Sequence, residues 1–128
     1  MKIIGIGVDL VKNSRIKSLI KDKKFIPRIF SKAEILLSNN KIDQLSFFSK
    51  RFAAKEAFSK ALGTGFRNNL NFKDISIFSD KLGKPSIKMT HKIKKIFDKK
   101  FKLKNINIFL SISDEKNHSI AFVILEKK

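Results

Sequence analysis

Residues 51–65 read RFAAKEAFSKALGTG, and this stretch is the most informative in the chain about its fold and its functional site. Their apolar spacing predicts a long helix from about residue 43 to residue 62, which ends at Gly63 because glycine is common just beyond a helix end. Glu56 and Lys60 lie about 40° apart around this helix and can serve one site. A carboxylate and an ammonium group beside a glycine-flanked turn indicate a metal ion that holds a phosphate.

The two sides of this helix are predicted to differ. Phe47, Ala54, Phe58, Ala61 and Leu62 are expected to face the core, and Phe52, Glu56, Lys60 and Gly63 to lie roughly opposite. Taken alone, the i,i+4 spacing of Glu56 and Lys60 favours an ordinary surface ion pair over a site. The alanines at 53, 54, 57 and 61 favour a site, because they allow another segment or a ligand to approach closely. The backbone N–H groups of residues 63–65 could form an anion-binding nest.

A second carboxylate stands near the start of the chain. Asp9 closes GIGVD at residues 5–9, a predicted strand whose glycines often mark a close backbone approach. Mg²⁺ is usually held by one or two carboxylates together with waters and substrate phosphates. Asp9 and Glu56 would form such a pair if the strand end met the helix; otherwise they are a turn cap and a surface ion.

The remaining pattern predicts an α+β chain in which residues 1–128 form a single domain, with a mainly antiparallel sheet packed on the long helix. Strands are expected at 2–9, 75–79 and 86–89, and in a hairpin of 106–112 with 119–125. Shorter helices are expected at 12–22, at 31–38 with a capping box from Ser31 to Glu34, and at 91–101 with Thr90 as the cap.

Composition narrows the classes of function. The 128 residues include no cysteine, which excludes disulfides, zinc–thiolate sites and thiol nucleophiles. No signal peptide or membrane span is evident, so we expect a cytoplasmic protein without a membrane partner. The net charge of +18 indicates an anionic partner, which could be nucleic acid, a membrane surface or an acidic protein. The abundance of Lys, Asn, Ile and Phe also fits A/T-rich codon usage, which could supply much of this charge.

Five segments together resemble the holo-[acyl-carrier-protein] synthases, the small bacterial phosphopantetheinyl transferases. These segments are GIGVD at 5–9 with Arg15 and Ile16 after it, RIFSKAE at 28–34, RFAAKEAFSKALGTG at 51–65, GKP at 83–85, and SIS at 111–113 with AFVILE at 121–126. The resemblance covers essentially the whole chain. It implies the 4′-phosphopantetheinyl transferase fold, and transfer of 4′-phosphopantetheine from coenzyme A to a serine of apo acyl carrier protein. Adenosine 3′,5′-bisphosphate is released, and the pathway is fatty-acid synthesis.

The resemblance also assigns residues. Asp9 and Glu56 match Mg²⁺-binding carboxylates, and Glu56 and Lys60 are the expected catalytic residues, with Lys60 beside the pyrophosphate. The base for the serine is either Glu56 or a metal-bound water that Glu56 orients. The expected coenzyme A contacts are Arg51, Lys60, Gly63, Thr64, Gly65, Lys84 and Pro85.

The family is a trimer with active sites at subunit interfaces, which bears on Arg51. This residue lies about 140° around the helix from Glu56 and is poorly placed for the same site in one subunit. We expect it to reach the coenzyme A phosphates of the neighbouring subunit; the alternative is a structural salt bridge at the interface.

Carrier proteins of this family's reaction are strongly acidic, which gives the positive charge a role without nucleic acid. Arg15, Lys17 and Lys21 are the expected contacts on the first helix. Asp114 stands where many relatives carry histidine. His118 is expected in the hairpin and His91 at the solvent-facing start of a helix, and neither is expected to be essential.

Overall fold

The structure is a computed structural model that describes residues 2–66 and 69–128. In chain order its elements are β1 (Lys2–Lys12), α1 (Asn13–Leu19), α2 (Phe25–Ile29), α3 (Lys32–Ser38), α4 (Gln44–Leu62), a 3-10 turn (Phe72–Asp74), β2 (Ile77–Ser79), β3 (Pro85–Ile87), α5 (His91–Phe101), β4 (Ile106–Asp114) and β5 (His118–Lys127). Antiparallel pairing gives one sheet in the order β1-β5-β4 and a separate two-stranded sheet, β2-β3. The predicted α+β class, with an antiparallel sheet and a long central helix, is confirmed.

Helix α4 forms the centre of the core. Asp43 caps its start by accepting a hydrogen bond from Ser46 N at 2.9 Å, and Gly63 ends it in the left-handed region at φ 79°. The five residues predicted to face the core are all buried. Phe52, predicted to lie roughly opposite them, is buried as well and stacks on Phe72. Neighbouring elements cover nearly the whole circumference of the helix. A pattern with apolar residues on one side predicts burial of that side only, so the sequence did not indicate this.

Two glycines bring β1 against the backbone of α4. A Cβ atom at Gly7 would lie 1.9 Å from the Ala57 carbonyl oxygen, and one at Gly5 would lie 2.2 Å from the Ala61 carbonyl oxygen. The predicted close backbone approach is therefore present, with alanines on the helical side. Because side chains alternate along a strand, Asp9 faces the helix as Gly7 does.

The opposite side of the three-stranded sheet carries exposed apolar side chains, which we call the outer sheet face. Its members are Ile6, Val8, Leu10, Phe109, Ile120 and Phe122. Val8 pairs with Phe122 and Leu10 with Ile120, so the apolar surface is continuous across β1 and β5. Leu10 is 63% exposed. Monomeric proteins rarely expose large contiguous apolar patches, so this face is a candidate interface.

Helix starts that have a capping residue were predicted correctly, whereas other helix boundaries and very short helices were not. The Ser31–Glu34 capping box and the Thr90 cap are both present. The first helix ends at Leu19, earlier than predicted, so Lys21 lies beyond it. Helix α2 and the 3-10 turn were not predicted, since each is too short to show a helical period. None of the helices within 2–66 and 69–128 is both long and apolar enough to cross a membrane.

Candidate active site

The contact between β1 and α4 brings Asp9, Glu56 and Lys60 together. Lys60 Nζ lies 3.1 Å from Asp9 Oδ1 and donates a hydrogen bond to the Val8 carbonyl oxygen at 3.0 Å. Glu56 lies one helical turn before Lys60 and is half-buried. Lys60 therefore pairs across the strand–helix contact with Asp9, and an isolated surface pair between Glu56 and Lys60 does not describe this site.

Burial and three neighbouring charged side chains shift the pKa of Glu56. Burial raises the pKa of Glu56, and the negative charge of Asp9 raises it further. Lys60 and Arg15 act in the opposite direction. Asp9 and Glu56 are therefore close enough for their charges to repel, which a bound cation would relieve.

The donor set fits a hard divalent cation. Two carboxylates with one ammonium group beside them match the oxygen ligands that Mg²⁺ prefers, and Mg²⁺ usually takes its remaining ligands from water and phosphate. Across 2–66 and 69–128, no group of three or more His, Asp or Glu side chains is placed to hold a metal. A metal at Asp9 and Glu56 would therefore keep most of its coordination for water and substrate.

The glycine turn after α4 differs from the expected nest in one respect. Gly63 and Gly65 have φ values of 79° and 61°, which favour glycine. The Gly63 N–H, however, donates to the Lys60 carbonyl oxygen at 2.9 Å and caps the helix, so it is not aimed at a ligand. Thr64 Oγ1 donates to the Gly65 carbonyl oxygen at 3.3 Å. Thr64 and Lys100 line a common cavity next to this turn.

Arg51 belongs to a different cavity. It is only 7% exposed, its guanidinium carbon lies 3.6 Å from the centre of the Phe47 ring, and its Nε has no hydrogen-bond partner among the described residues. Burial lowers the pKa of Arg51, and the charge of Glu34 opposes this shift. The cavity has a volume of ≈ 120 Å³ and is lined by Lys50, Arg51, Ile77, Ser79, Gly83, Pro85, Ile112 and Asp114.

The structure thus separates the predicted coenzyme A contacts into three places, one of which is the glycine turn at residues 63–65. Arg51 and Pro85 share the cavity just described, which we call the Arg51 cavity, and Lys84 is exposed beside Pro85. Lys60 lies at the carboxylate pair. Arg51 is not among the charged groups that shift the pKa of Glu56, in agreement with the 140° separation expected from helix geometry.

Helix α1 lies beside the carboxylate pair. Arg15 and Lys17 are exposed on it, and Lys21 is exposed in the turn that follows. The Arg15 guanidinium carbon lies 5.8 Å from the centre of the Phe52 ring, and its charge acts on Glu56. A protein that docked on this helix would therefore be next to the site.

The buried ion pair between Glu34 and Lys55 was not predicted from the sequence. Both side chains are fully buried, and Lys55 Nζ lies 2.7 Å from Glu34 Oε1. Only the capping role of Glu34 was foreseen. A signal existed, because Lys55 lies about 20° from Leu62 around the helix, on the side expected to be core.

His118 and His91 lie where the sequence predicts, at the β4–β5 hairpin and at the start of α5. Asp114, which stands where many relatives carry histidine, accepts a hydrogen bond from Ser46 Oγ at 3.0 Å and lines the Arg51 cavity. His118 starts β5 with Nδ1 3.3 Å from Glu115 Oε1, and His91 is exposed at the start of α5.

A sequence model of the 4′-phosphopantetheinyl transferase superfamily matches residues 5–123. The chain belongs to this superfamily. A curated phosphopantetheinyl transferase, the holo-[acyl-carrier-protein] synthase of Pelagibacter ubique, is 63% identical over 128 residues, which span the full length of both chains. The family predicted from the five segments is confirmed.

Solved structures of phosphopantetheinyl transferases share the fold. The holo-[acyl-carrier-protein] synthase of Neisseria meningitidis superposes with a TM-score of 0.88 at 39% identity, over 98% of this chain and 100% of that one. The Bacillus anthracis enzyme of the same name, solved in complex with CoA (3′,5′-ADP), gives 0.81 at 33% identity, over 98% of each chain. These likenesses confirm the predicted fold.

Proposed function

We propose that residues 1–128 act as one Mg²⁺-dependent domain that transfers 4′-phosphopantetheine from coenzyme A to a serine of apo acyl carrier protein. The predicted holo-[acyl-carrier-protein] synthase reaction is supported by whole-length relatives of that name and by a coenzyme A complex of one of them. The observation that carries the proposal for this chain is the meeting of Asp9, Glu56 and Lys60 where β1 contacts α4. As the sequence predicts, the setting is fatty-acid synthesis in the cytoplasm.

The reaction needs positioning and charge neutralisation more than covalent chemistry. The serine oxygen bonds to the phosphorus that carries pantetheine, and the bridging P–O bond breaks to release adenosine 3′,5′-bisphosphate. Asp9 and Glu56 would hold Mg²⁺, which when bound supplies a Lewis acid and a template for the pyrophosphate. Lys60 Nζ would stabilise charge on the leaving phosphate oxygen. The serine proton would pass to the Glu56 carboxylate or to a water that Glu56 orients.

The Arg51 cavity is proposed to bind a phosphate on the adenosine half of coenzyme A. Buried polar groups are nearly always paired, so the unpartnered Nε of a buried guanidinium indicates a ligand that completes it. Pro85 lines the same cavity, and Lys84 is exposed next to it. Since Arg51 faces away from Glu56, we propose that it serves coenzyme A held by the carboxylate pair of a neighbouring subunit.

The outer sheet face is proposed to be covered by two further copies of this chain, which makes a trimer. Val8 and Leu10 of this face flank Asp9 in β1, while the Asp9 side chain faces α4 on the other side of the sheet. Active sites shared between subunits are what the resemblance implies.

The acidic acyl carrier protein is proposed to dock on α1 and the turn after it, through Arg15, Lys17 and Lys21. Complementary charge raises encounter rates and sets orientation. The net charge of +18 also favours a rival function, a basic nucleic-acid-binding module without catalysis.

Intact-mass spectrometry of apo acyl carrier protein incubated with this chain, coenzyme A and Mg²⁺ tests the function. We expect the carrier to gain the mass of one phosphopantetheine, and the gain to disappear with EDTA or with Glu56→Ala. Asp98→Ala, which removes an exposed carboxylate on α5, is the matched control and should retain the reaction. No mass gain, together with DNA binding that weakens steeply with salt, would favour the basic module.

A further inference from the structure

The ion pair between Glu34 and Lys55 joins three parts of the chain. Glu34 Oε1 accepts hydrogen bonds from Lys55 Nζ at 2.7 Å and from Ser31 N at 2.9 Å. Glu34 Oε2 accepts one from Ile77 N at 3.3 Å. A single carboxylate on α3 therefore holds both the long helix α4 and the first residue of β2.

Lys55 extends these links to the segment that leads into β2. Its Nζ donates to the Phe72 carbonyl oxygen at 3.1 Å and to the Ile75 carbonyl oxygen. Because β2 and β3 form a sheet of their own, these contacts and the packing of β3 against β4, and not strand pairing, hold the hairpin on the three-stranded sheet.

The same two residues connect the walls of the Arg51 cavity. Arg51 lies one helical turn before Lys55 on α4, and Ile77, which donates to Glu34, lines the cavity opposite it. Ser79 and Pro85, also in the lining, belong to the β2–β3 hairpin. Glu34 and Lys55 therefore link the helix that carries Arg51 to this hairpin.

The buried charges around Glu34 are unequal in number. Burial lowers the pKa of both Arg51 and Lys55, and the charge of Glu34 opposes each shift. Glu34 thus serves both buried cations, while Asp74 also opposes the shift of Lys55 and Asp114 lines the Arg51 cavity.

We infer that Glu34 and Lys55 are positioning residues that hold the β2–β3 hairpin against Arg51 at the spacing that binds the 3′-phosphate of coenzyme A. This inference rests on the proposed phosphate role of the Arg51 cavity. Neither side chain touches the reacting atoms; both act through the backbone of residues 72–77 and through the charge felt by Arg51.

The test compares coenzyme A with 3′-dephospho-coenzyme A as substrates of the full chain. In the double variant Glu34→Gln/Lys55→Met, which leaves no uncompensated member of the pair, we expect the KM for coenzyme A to rise on the order of tenfold. The KM for the dephospho form and for the carrier protein should stay within about twofold, because neither uses this cavity. The ratio of the two coenzyme KM values should therefore approach one.

Two further variants keep the test decisive. Glu34→Asp keeps the charge but shortens its reach to Ile77, and should change the ratio in the same direction by a smaller factor. Lys92→Met breaks the partly exposed 2.6 Å pair with Asp74 in the same segment, and should leave the ratio unchanged. Folding of every variant is checked by thermal melts.

Each outcome has a separate meaning. A wild-type ratio in folded double and Glu34→Asp variants would overturn the inference. The phosphate role of the cavity, and the inference with it, would be rejected if the wild type had equal KM values for the two coenzymes. Both would also be rejected if Arg51→Met kept the wild-type ratio of the two KM values. Absence of transfer by the wild type would instead reject the proposed function.

Discussion

Lys60 on α4 lies 3.1 Å from Asp9 on β1, so a cation from the helix neutralises a carboxylate from the strand. The same cation lowers the pKa of Glu56, which burial and Asp9 raise. Lys60 therefore favours the ionised form of Glu56, in addition to its proposed action on the leaving phosphate.

Replacing Lys60 by methionine should reduce kcat on the order of 10²-fold and move the acidic limb of the pH profile upward. Without this cation, the pKa of Glu56 rises further, so the ionised form that binds a metal appears only at higher pH. Measurement of kcat against pH checks this. Lys60→Arg, which keeps the charge, should leave the limb near its wild-type position; an unshifted limb in Lys60→Met would contradict the coupling.

Glu56→Gln should stabilise the metal-free protein at neutral pH. An acid whose pKa is higher in the folded than in the unfolded state binds more protons when folded, so stability falls as pH rises from about 4.5 through the raised value. The glutamine variant escapes this loss. Urea denaturation in EDTA should show the gain at about pH 7.5 and none at about pH 4. Asp98→Asn serves as the control, and a gain of equal size at both pH values would disagree with this account.

Arg51 and Glu56 should complement each other between subunits. Arg51→Met and Glu56→Gln are each expected to be impaired, the first through a raised KM for coenzyme A. When the two variants are co-expressed, one of the three sites in each mixed trimer, about one quarter of all sites after random assembly, would contain both wild-type groups, because each site takes Arg51 from one subunit and Glu56 from its neighbour. Activity at limiting coenzyme A should recover accordingly. No recovery, in trimers shown to be mixed by mass spectrometry, would place both residues in one subunit.

Arg15→Glu should raise the KM for the carrier protein and spare the KM for coenzyme A. Because Arg15 also lowers the pKa of Glu56, this comparison belongs at a pH well above the acidic limb. Lys17→Glu changes an exposed charge on the same helix without being among the groups that shift Glu56. Both variants should lose salt dependence of carrier binding. Equal effects on both substrates would count against docking on α1.

The sequence predicted the features that depend on neighbours in the chain. Asp43, Gly63, Ser31 and Thr90 mark their helix ends through local hydrogen bonds or backbone conformation, so these boundaries were found. The five-residue α2, with Pro27 inside it, leaves too little pattern to detect.

Contacts between residues that are distant in the sequence were predicted only where the residue type itself indicates such a contact. Gly5 and Gly7 indicated a close approach, but only the fold shows that α4 is what they touch. Lys55 was missed because lysine is almost never fully buried unless paired, and its partner Glu34 lies on another helix. The unpartnered Nε of Arg51 depends on packing against Phe47 and on the hairpin around residues 77–85.

The close approach of Gly7 to the Ala57 carbonyl oxygen also fixes the position of Asp9 relative to Glu56. Asp9 follows two residues later, and that even count is what points it at Glu56. One residue inserted between them would turn the carboxylate outward among Val8 and its apolar neighbours, so that a single change would remove a metal ligand and place a charge in the proposed subunit contact. Two inserted residues would restore the direction but move Asp9 about 7 Å along the helix, beyond the reach of its partner.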